Sequence, residues 1–173
     1  TAKQFANLGH PLLLLARRIE PMQELRLNNA ICISVDVTDR EKFKEAIKIA
    51  EEKYGPTGAI VNNAGIMLLG DMVVQDPKEW DMMLDVNIKG LLNGIHAVAG
   101  TMIKQKKGTI INISSIAGIK TFPNHTAYVG TKFAVSGLSE NLREEMAPHN
   151  VRVITIEPGA VNTELLSHTT DES

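Results

Sequence analysis

A tyrosine and a lysine lie four residues apart in the segment HTAYVGTK, at Tyr128 and Lys132. In a helix, residues at this spacing lie about 40° apart around the axis and can face one ligand. A phenol has a pKa of about 10, too high for acid–base catalysis at neutral pH, and a nearby ammonium would lower it. Ser115, at the end of the apolar segment GTIINISS, is placed to hydrogen-bond the same substrate oxygen. The three groups together suit proton transfer to or from an alcohol or carbonyl oxygen.

Asn87 adds a fourth polar residue to this set. It interrupts an apolar helical stripe, one turn after Leu84 and one turn before Leu91. A buried amide without partners costs about 1–3 kcal/mol, so we expect specific hydrogen bonds for Asn87. The sequence leaves two explanations open: an amide bonded to nearby backbone, or a member of the same site. For Tyr128 and Lys132 the alternative is a solvated helix face.

Strand-length apolar runs alternate with segments of helical period along the chain. The runs are 11–16 (PLLLLA), 30–35 (AICISV), 58–65 (GAIVNNAG), 108–115 (GTIINISS) and 151–161 (VRVITIEPGAV). Their apolar stretches are continuous, as expected for parallel strands buried on both faces. This order predicts a single α/β domain, in which helices cover both sides of a doubly wound parallel sheet.

Three helices between these runs have clear start or stop signals. A capping box formed by Thr38 and Glu41 predicts the start of the first helix, and Gly55-Pro56 predicts its end. Asp76-Pro77 predicts the start of a long second helix, and the third runs from 126 to about 147. The apolar stripe of the second helix consists of Trp80, Leu84, Leu91, Ile95, Val98 and Met102.

The strand ends are the expected place for a ligand. In doubly wound sheets, ligands bind beyond the carboxyl ends of the strands. Those ends carry Asn, Ser, Gly and charged residues, at 16–18, 36–37, 62–65, 114–115 and 158–159. Because all five ends open onto one edge of the sheet, we predict a polar ligand site at that edge.

Five motifs along the chain match a known pattern in both order and spacing. They are NNAG at 62–65, Asn87 within DVNIKG, IINISSIAG at 110–118, YVGTK at 128–132 and EPGAVNT at 157–163. With them the sequence resembles the short-chain dehydrogenase/reductase family, the single-domain Rossmann oxidoreductases. The resemblance covers essentially the whole chain and implies hydride transfer between a nicotinamide cofactor and a small alcohol or carbonyl substrate.

The resemblance also implies a role for each catalytic residue. Tyr128 would be the general acid–base residue, and Ser115 would polarise the substrate oxygen. Lys132 would lower the pKa of the tyrosine and bond the nicotinamide ribose. Asn87 would hold a water molecule in a proton relay behind Lys132.

The cofactor-binding residues implied by the resemblance lie at the strand ends. Those on the adenosine side are Asp36, Val37, Asn63, Ala64 and Gly65, and those that flank the nicotinamide are Pro158, Gly159, Val161 and Thr163.

The choice between NADP(H) and NAD(H) depends on the end of the run at 11–16. Proteins of this fold that prefer NAD generally place an acid there for the ribose hydroxyls. This chain has Ala16 instead, followed by Arg17 and Arg18. A guanidinium can bind a 2′-phosphate bidentately, so we predict NADP(H). The alternative is that both arginines only face solvent.

Three parts of the family pattern do not occur in the sequence. There is no TGxxxGxG turn, and the strand that lies centrally in the family's 3-2-1-4-5-6-7 sheet has no counterpart. The substrate lid that normally follows the position of Thr163 does not occur either. We therefore expect residues 1–173 to be a partial NADP-binding domain, truncated at both ends, in which two strands have unpaired edges. The alternative is a natural protein of this length with doubtful dinucleotide binding.

Composition argues against several other classes of function. The net charge of −2, without a basic stripe, gives no support for nucleic-acid binding, and no apolar run is long enough to span a bilayer. The histidines lack metal-ligand spacing. A single cysteine, Cys32 within an apolar run, fits a buried thiol in the cytoplasm. By resemblance we expect a homodimer or homotetramer formed through helices at 80–104 and 126–147.

Three hypotheses follow for the function. The first is an NADP(H)-dependent dehydrogenase/reductase acting on an alcohol or carbonyl group. The second is a non-catalytic dinucleotide-binding protein, a sensor or a structural partner, that keeps the fold. The third is a chain that only binds a partner, which predicts no NADPH binding. The presence of Asn87, Ser115, Tyr128 and Lys132 together favours the first.

Overall fold

The computed structural model of the protein describes residues 1–161. Its five strands are β1 (Leu12–Ala16), β2 (Ala30–Ser34), β3 (Ala59–Asn62), β4 (Gly108–Ile113) and β5 (Val151–Ile156). Its α-helices are α1 (Ala2–Asn7), α2 (Glu20–Gln23), α3 (Arg40–Tyr54), α4 (Pro77–Met83), α5 (Gly90–Gln105) and α6 (Thr126–Met146). A π-helical turn, Leu84–Lys89, joins α4 to α5, and two 3₁₀ turns span Ile116–Gly118 and Ala147–His149.

All strand pairings in this part of the chain are parallel, which confirms the predicted α/β class. β1 pairs with β2, with Leu12 opposite Ala30, and β4 lies between β3 and β5, with Ile110 opposite both Ile60 and Val153. Each crossover between parallel partners contains a helix, as parallel pairing requires. Within each sheet the strand ends therefore meet at one edge, the kind of edge where the sequence predicts the ligand site.

The strands form two sheets rather than one, with the orders β1-β2 and β3-β4-β5. Within residues 1–161, β4 pairs on both edges and each of the other four strands on a single edge. The prediction that the strands are buried on both faces is wrong for β1 and β5, whereas no residue of β4 is exposed. All five residues of β1 are only half-buried, and Ile154 and Ile156 of β5 are 41% and 44% exposed. The reason is that β1 lacks a neighbour on one edge and that the helices bury only alternate residues of β5.

The three long helices share one hydrophobic core. It contains Phe43 and Ile47 of α3, Leu91 and Val98 of α5, and Val135 of α6. At about 25 cal/mol per Å², such side chains each contribute roughly 1.5–3 kcal/mol when fully buried. This core packs α3 against α5, α5 against β3 and β4, and α6 against β5. The helices that carry the predicted site are therefore fixed relative to the strand ends.

Two helix starts test the capping predictions. Asp76 is the N-cap of α4 as predicted, since its side chain accepts a hydrogen bond from the Lys78 N–H. The predicted capping box at Thr38 is wrong: the N-cap of α3 is Asp39, which accepts from the Lys42 N–H. The Thr38 hydroxyl instead donates to the Asp36 carboxylate at 2.8 Å, and it is therefore engaged in the loop before the helix.

The π-helical turn changes the predicted apolar stripe. Leu84 is 49% exposed rather than buried, whereas Met83 is fully buried. A π turn contains more residues than the 3.6 of an α-helical turn. Met83, four residues before Asn87, therefore lies on the same buried face as Asn87. Leu84, three residues before Asn87, lies outside that face. Leu91, Ile95, Val98 and Met102 are buried as predicted.

Two further observations bear on the environment of the chain. Within residues 1–161, no helix combines the length and the apolar character that a membrane span needs. The thiol of Cys32 is half-buried in β2, which is less than its apolar run predicts.

Candidate active site

The centre of the site is the phenol of Tyr128, which lies on the buried face of α6. Tyr128 is 5% exposed, and the Ser115 side chain lies near enough to its hydroxyl to influence its pKa. Burial raises the pKa of the phenol above its ordinary value of 10, and the Ser115 side chain opposes this effect in part. Tyr128 is therefore a protonated acid at neutral pH.

Ser115 is held by the short turn that follows β4. It is the N-cap of the 3₁₀ turn Ile116–Gly118, and its Oγ accepts a hydrogen bond from the Ala117 N–H at 3.1 Å. With the acceptor side of its oxygen engaged, the hydroxyl has its proton to offer to Tyr128 or to a ligand oxygen. As the sequence predicts, this serine lies at the end of a strand, two residues after the last residue of β4.

Lys132 lies one turn after Tyr128 and is only 7% exposed. Its Nζ donates to the Ile113 carbonyl oxygen at 3.1 Å and lies 5.8 Å from the centroid of the Tyr128 ring. Burial lowers the pKa of this ammonium to about 8. The expectation that Lys132 brings the pKa of Tyr128 below its ordinary value is not met in this arrangement, because the ammonium lies over the ring and the burial of the phenol dominates.

Asn87 has the specific partners that its burial demands. Its Oδ1 accepts from the Ile66 N–H at 2.8 Å, and its Nδ2 donates to the Ile66 carbonyl oxygen at 2.9 Å and to Thr131 Oγ1 at 3.0 Å. The Thr131 hydroxyl donates in turn to the Tyr128 carbonyl oxygen at 2.7 Å. The first explanation left open by the sequence is confirmed, since Asn87 bonds to the Ile66 backbone; its bond to Thr131 also joins it to the helix that carries Tyr128, and its membership of the site stays a prediction. A Cβ placed on Gly65 would lie 3.4 Å from Asn87 Oδ1 and 3.6 Å from Lys132 Nζ, so Gly65 lies beside both.

Several residues of this cluster escaped the sequence reasoning. Thr131 is 1% exposed and links Asn87 to α6; its position three residues after Tyr128, on the same helix face, was the available signal. Ser114 is also buried, and its Oγ bonds to the Lys132 carbonyl oxygen and to Ser136 Oγ at 2.9 Å. The sequence places Ser114 with Ser115 at a polar strand end, and nothing in the pattern indicates its bonds to α6.

The turn predicted to flank the nicotinamide is tied to the same cluster. The Ile116 N–H donates to the Pro158 carbonyl oxygen at 2.9 Å, which places Pro158 and Gly159 beside the Ser115 turn. Ser136 Oγ donates to Glu157 Oε1 at 2.9 Å, immediately before this turn. Val161 is 56% exposed, and Thr163 lies outside the described residues.

The predicted adenosine side lies at the ends of β1 and β2 and has a different character. Arg17, Arg18 and Asp36 are exposed, and Val37 is half-buried. Hydrogen bonds from the backbone and side chain of Thr38 hold the pKa of Asp36 below its usual range, with smaller contributions from the charges of Arg17 and Lys89. Asn63 and Ala64, which follow β3, are also exposed.

The donor set of the site suits a dinucleotide phosphate better than a metal ion. Among residues 1–161, no group of three His, Cys, Asp or Glu side chains has a metal-binding arrangement. The strand-end edge offers guanidinium groups at one end and a buried ammonium at the other. These charges match the anionic and polar parts of NADP(H).

The pattern of the family described as short chain dehydrogenase matches residues 1–173. The chain therefore belongs to the short-chain dehydrogenase/reductase family of oxidoreductases, as the motifs predict.

Individual members of the family agree with this assignment. A curated relative, the uncharacterized oxidoreductase Lmo0432 of Listeria monocytogenes, is 45% identical over 99% of this chain and 73% of its own length. A serine dehydrogenase in its closed form, complexed with NADP+, is 32% identical with a TM-score of 0.92, over 96% of this chain and 69% of the other. A short-chain dehydrogenase of Streptomyces avermitilis is 30% identical with a TM-score of 0.90, over 99% of this chain and 66% of the other.

Proposed function

We propose that the protein is an oxidoreductase that transfers a hydride between NADP(H) and a small alcohol or carbonyl compound, with Tyr128 as the general acid–base residue. The observation that carries the proposal is the buried Tyr128 phenol, which lies near the Ser115 side chain and has the Lys132 ammonium 5.8 Å from its ring centroid. Such a set has an evident use in proton transfer to oxygen, whereas a buried ammonium without a carboxylate partner is costly as a structural element.

In the reductive direction, the Tyr128 phenol donates its proton to the carbonyl oxygen of the substrate, and the Ser115 hydroxyl hydrogen-bonds the same oxygen. The raised pKa of the phenol keeps the proton in place at neutral pH until the substrate takes it. The nearby Lys132 ammonium then offsets part of the cost of burying the phenolate, because its charge is weakly screened in this poorly solvated position. In oxidation the phenolate accepts the proton of the alcohol.

The cofactor assignment follows from the charges of the strand-end edge. NADP(H), when bound, supplies or accepts the hydride. Arg17 and Arg18 would hold its 2′-phosphate, which an acid at the end of β1 would repel. The serine dehydrogenase that resembles this chain was solved with NADP+, which supports the choice of NADP(H). The remaining residues assigned to the cofactor are Asp36, Val37, Asn63, Ala64, Gly65, Tyr128, Lys132, Pro158, Gly159, Val161 and Thr163.

Asn87 completes the proposed machinery as a support for proton relay. Its two amide protons and one lone pair of Oδ1 are already engaged by Ile66 and Thr131. One acceptor position on Oδ1 therefore remains for a water molecule. Such a water, close to Gly65 and Lys132, would return a proton toward Tyr128 after each reduction.

Exposed apolar side chains support the proposed homodimer or homotetramer. Met82, Leu84, Leu92 and Phe133 are each between 43% and 50% exposed. They lie within the ranges 80–104 and 126–147, which the family resemblance assigns to subunit contacts.

The decisive experiment replaces the phenol by a phenyl group in the full-length protein. We expect Tyr128→Phe to lower kcat by about 10²–10⁴-fold, measured by NADPH oxidation with a panel of small carbonyl compounds. The NADPH dissociation constant, measured by fluorescence titration, should change less than about threefold, because the phenol acts on the substrate oxygen.

Tyr54→Phe is the matched control, since Tyr54 and Tyr128 are the two tyrosines of the chain. The Tyr54 hydroxyl is buried without a hydrogen-bond partner in the described residues. Its removal should leave kcat unchanged. Near-normal turnover in Tyr128→Phe would refute the catalytic assignment, and NADPH binding without turnover in the wild type would favour the non-catalytic alternative.

A further inference from the structure

Asn93 is a buried amide outside the proposed catalytic cluster, on the first turns of α5. It is 2% exposed, and every polar atom of its side chain is engaged. Its Nδ2 donates to the Val37 carbonyl oxygen at 2.9 Å and to the Thr38 carbonyl oxygen at 3.3 Å. Its Oδ1 accepts from Arg40 Nε at 3.1 Å. All three partners lie more than fifty positions away in sequence, in the loop between β2 and α3 or at the start of α3.

These bonds act on a peptide group that also holds Asp36. The Val37 carbonyl oxygen, which accepts from Asn93, belongs to the same peptide unit as the Thr38 N–H. That N–H donates to Asp36 Oδ1 at 2.9 Å. Because a peptide unit is planar and rigid, fixing its oxygen also fixes the direction of its N–H. Asn93 therefore orients the Asp36 carboxylate through one rigid group.

The Val37 side chain packs against the same turn of α5. A Cβ on Gly90 would lie 2.6 Å from Val37 Cγ2, so Val37 packs directly on the helix backbone. Gly90 and Asn93, three residues apart, lie on one face of α5. Gly90 leaves room for the Val37 side chain because it has no Cβ, and Asn93 donates hydrogen bonds to the carbonyl oxygens of Val37 and Thr38.

We propose that Asn93 is a positioning residue for the adenine end of the dinucleotide. It holds the Asp36–Thr38 loop, and with it the Asp36 carboxylate and the Val37 backbone, in the arrangement that receives the adenosine part. The inference rests on the proposed function. It adds a residue that touches neither cofactor nor substrate and that acts on one end of the cofactor only.

The test separates the two ends of the cofactor. Full-length wild type and Asn93→Leu are compared with three probes: NADPH, its adenine-end fragment 2′-phosphoadenosine 5′-diphosphoribose, and reduced nicotinamide mononucleotide, which lacks the adenine end. We expect the dissociation constants of NADPH and of the fragment to rise about tenfold. The KM for reduced nicotinamide mononucleotide, and kcat at saturating NADPH, should stay within about twofold.

Ser139→Ala controls for a general loss of stability. Ser139 is 1% exposed and bonds to Asn112 and to the Val135 carbonyl oxygen, away from the Asp36–Thr38 loop. This variant should lower Tm and leave the affinity for the fragment unchanged. If Asn93→Leu leaves the affinity for the fragment unchanged, or weakens both halves of the cofactor equally, the positioning role is wrong.

If Asn93→Leu does not fold, Gly90→Ala is a second and independent test of the inference. Alanine favours helix by about 1 kcal/mol over glycine, yet the new methyl group must displace Val37. We expect weaker binding of the fragment without loss of helix stability. Unchanged affinity would overturn the inference. A wild-type protein that binds neither NADPH nor the fragment would instead refute the proposed function, and this inference with it.

Discussion

The two ends of the proposed cofactor site are built in opposite ways. At the catalytic end, Tyr128 and Lys132 are almost fully buried, and their neighbours are joined by hydrogen bonds within the chain. At the adenine end, Arg17, Arg18 and Asp36 are exposed, and the loop that carries Asp36 is held from behind by α5. Chemistry requires a fixed and poorly solvated phenol, whereas recognition of an anionic group requires charges that a ligand can reach.

Burial of the catalytic end also destabilises the folded protein, because it places the Lys132 ammonium in a poorly solvated position. Burial lowers the pKa of its ammonium to about 8, and no described carboxylate pairs with it. The catalytic end is therefore expected to be less stable than an apolar core of the same shape would be. The adenine end carries its charges in solvent, where they cost little.

The largest expected effect comes from removing the charge at the catalytic end. Lys132→Met should lower kcat at least about hundredfold, because the phenolate loses its ammonium. The same variant should be more stable at pH 7. A displacement of the pKa from 10.5 to about 8 corresponds to roughly 3 kcal/mol. Loss of the bond to the Ile113 carbonyl oxygen offsets part of this, so we expect a net rise of about 1–2 kcal/mol in the free energy of unfolding.

The pH dependence of the free energy of unfolding tests whether burial of the Lys132 charge causes this difference in stability. Below pH 8, Lys132 is charged in both the folded and the unfolded chain, so burial of its charge destabilises the folded protein by the full amount. Between about pH 8 and 10.5, the folded protein releases the proton while the unfolded chain keeps it, so the wild type gains stability relative to the variant. Urea unfolding at several pH values should show the advantage of Lys132→Met shrinking over this range. A constant advantage would mean that burial does not lower this pKa.

The adenine end should respond in affinity rather than in chemistry. Replacing Arg17 and Arg18 by Ala should raise the KM for NADPH about 10–100-fold and leave the KM for NADH within about threefold. The measurement is steady-state kinetics with both cofactors. Lys44→Ala combined with Lys48→Ala removes the same charge from the exposed face of α3 and should change neither KM. Equal losses for NADPH and NADH would refute the assignment of the 2′-phosphate to the arginines.

A pair of glycines in the catalytic half tests how tightly it is packed. A Cβ on Gly118 would lie 2.5 Å from Ser114 Oγ and 2.9 Å from the Lys132 carbonyl oxygen. Gly118→Ala should therefore lower the free energy of unfolding by about 1–3 kcal/mol and reduce kcat by displacing Ser115. Gly137, inside α6, has no atom within 4 Å of a new Cβ, so Gly137→Ala should add about 0.5–1 kcal/mol. Denaturant unfolding of both variants checks the opposite signs.

The fold was largely predictable because each element has its own local signal. The strands, the start of α4 at Pro77 and the end of α3 at Tyr54 agree with the sequence to within a few residues. Leu84 was mispredicted because apolar periodicity assumes a regular α-helix, and nothing in the pattern indicates the π turn. Thr38 was mispredicted because its hydroxyl had a competing partner in Asp36.

What the sequence determined by itself was the set of groups and the strand ends that carry them, because residue type, spacing and strand order can all be read from one chain. Only the tertiary structure decided the state of those groups. Burial raises the pKa of Tyr128 and lowers that of Lys132, and the depth of each side chain depends on elements distant in sequence. Long-range contacts likewise gave Asn93 its place under the Asp36–Thr38 loop. Solvation is a property of the packed neighbourhood, so the residues were visible in the sequence and their protonation was not.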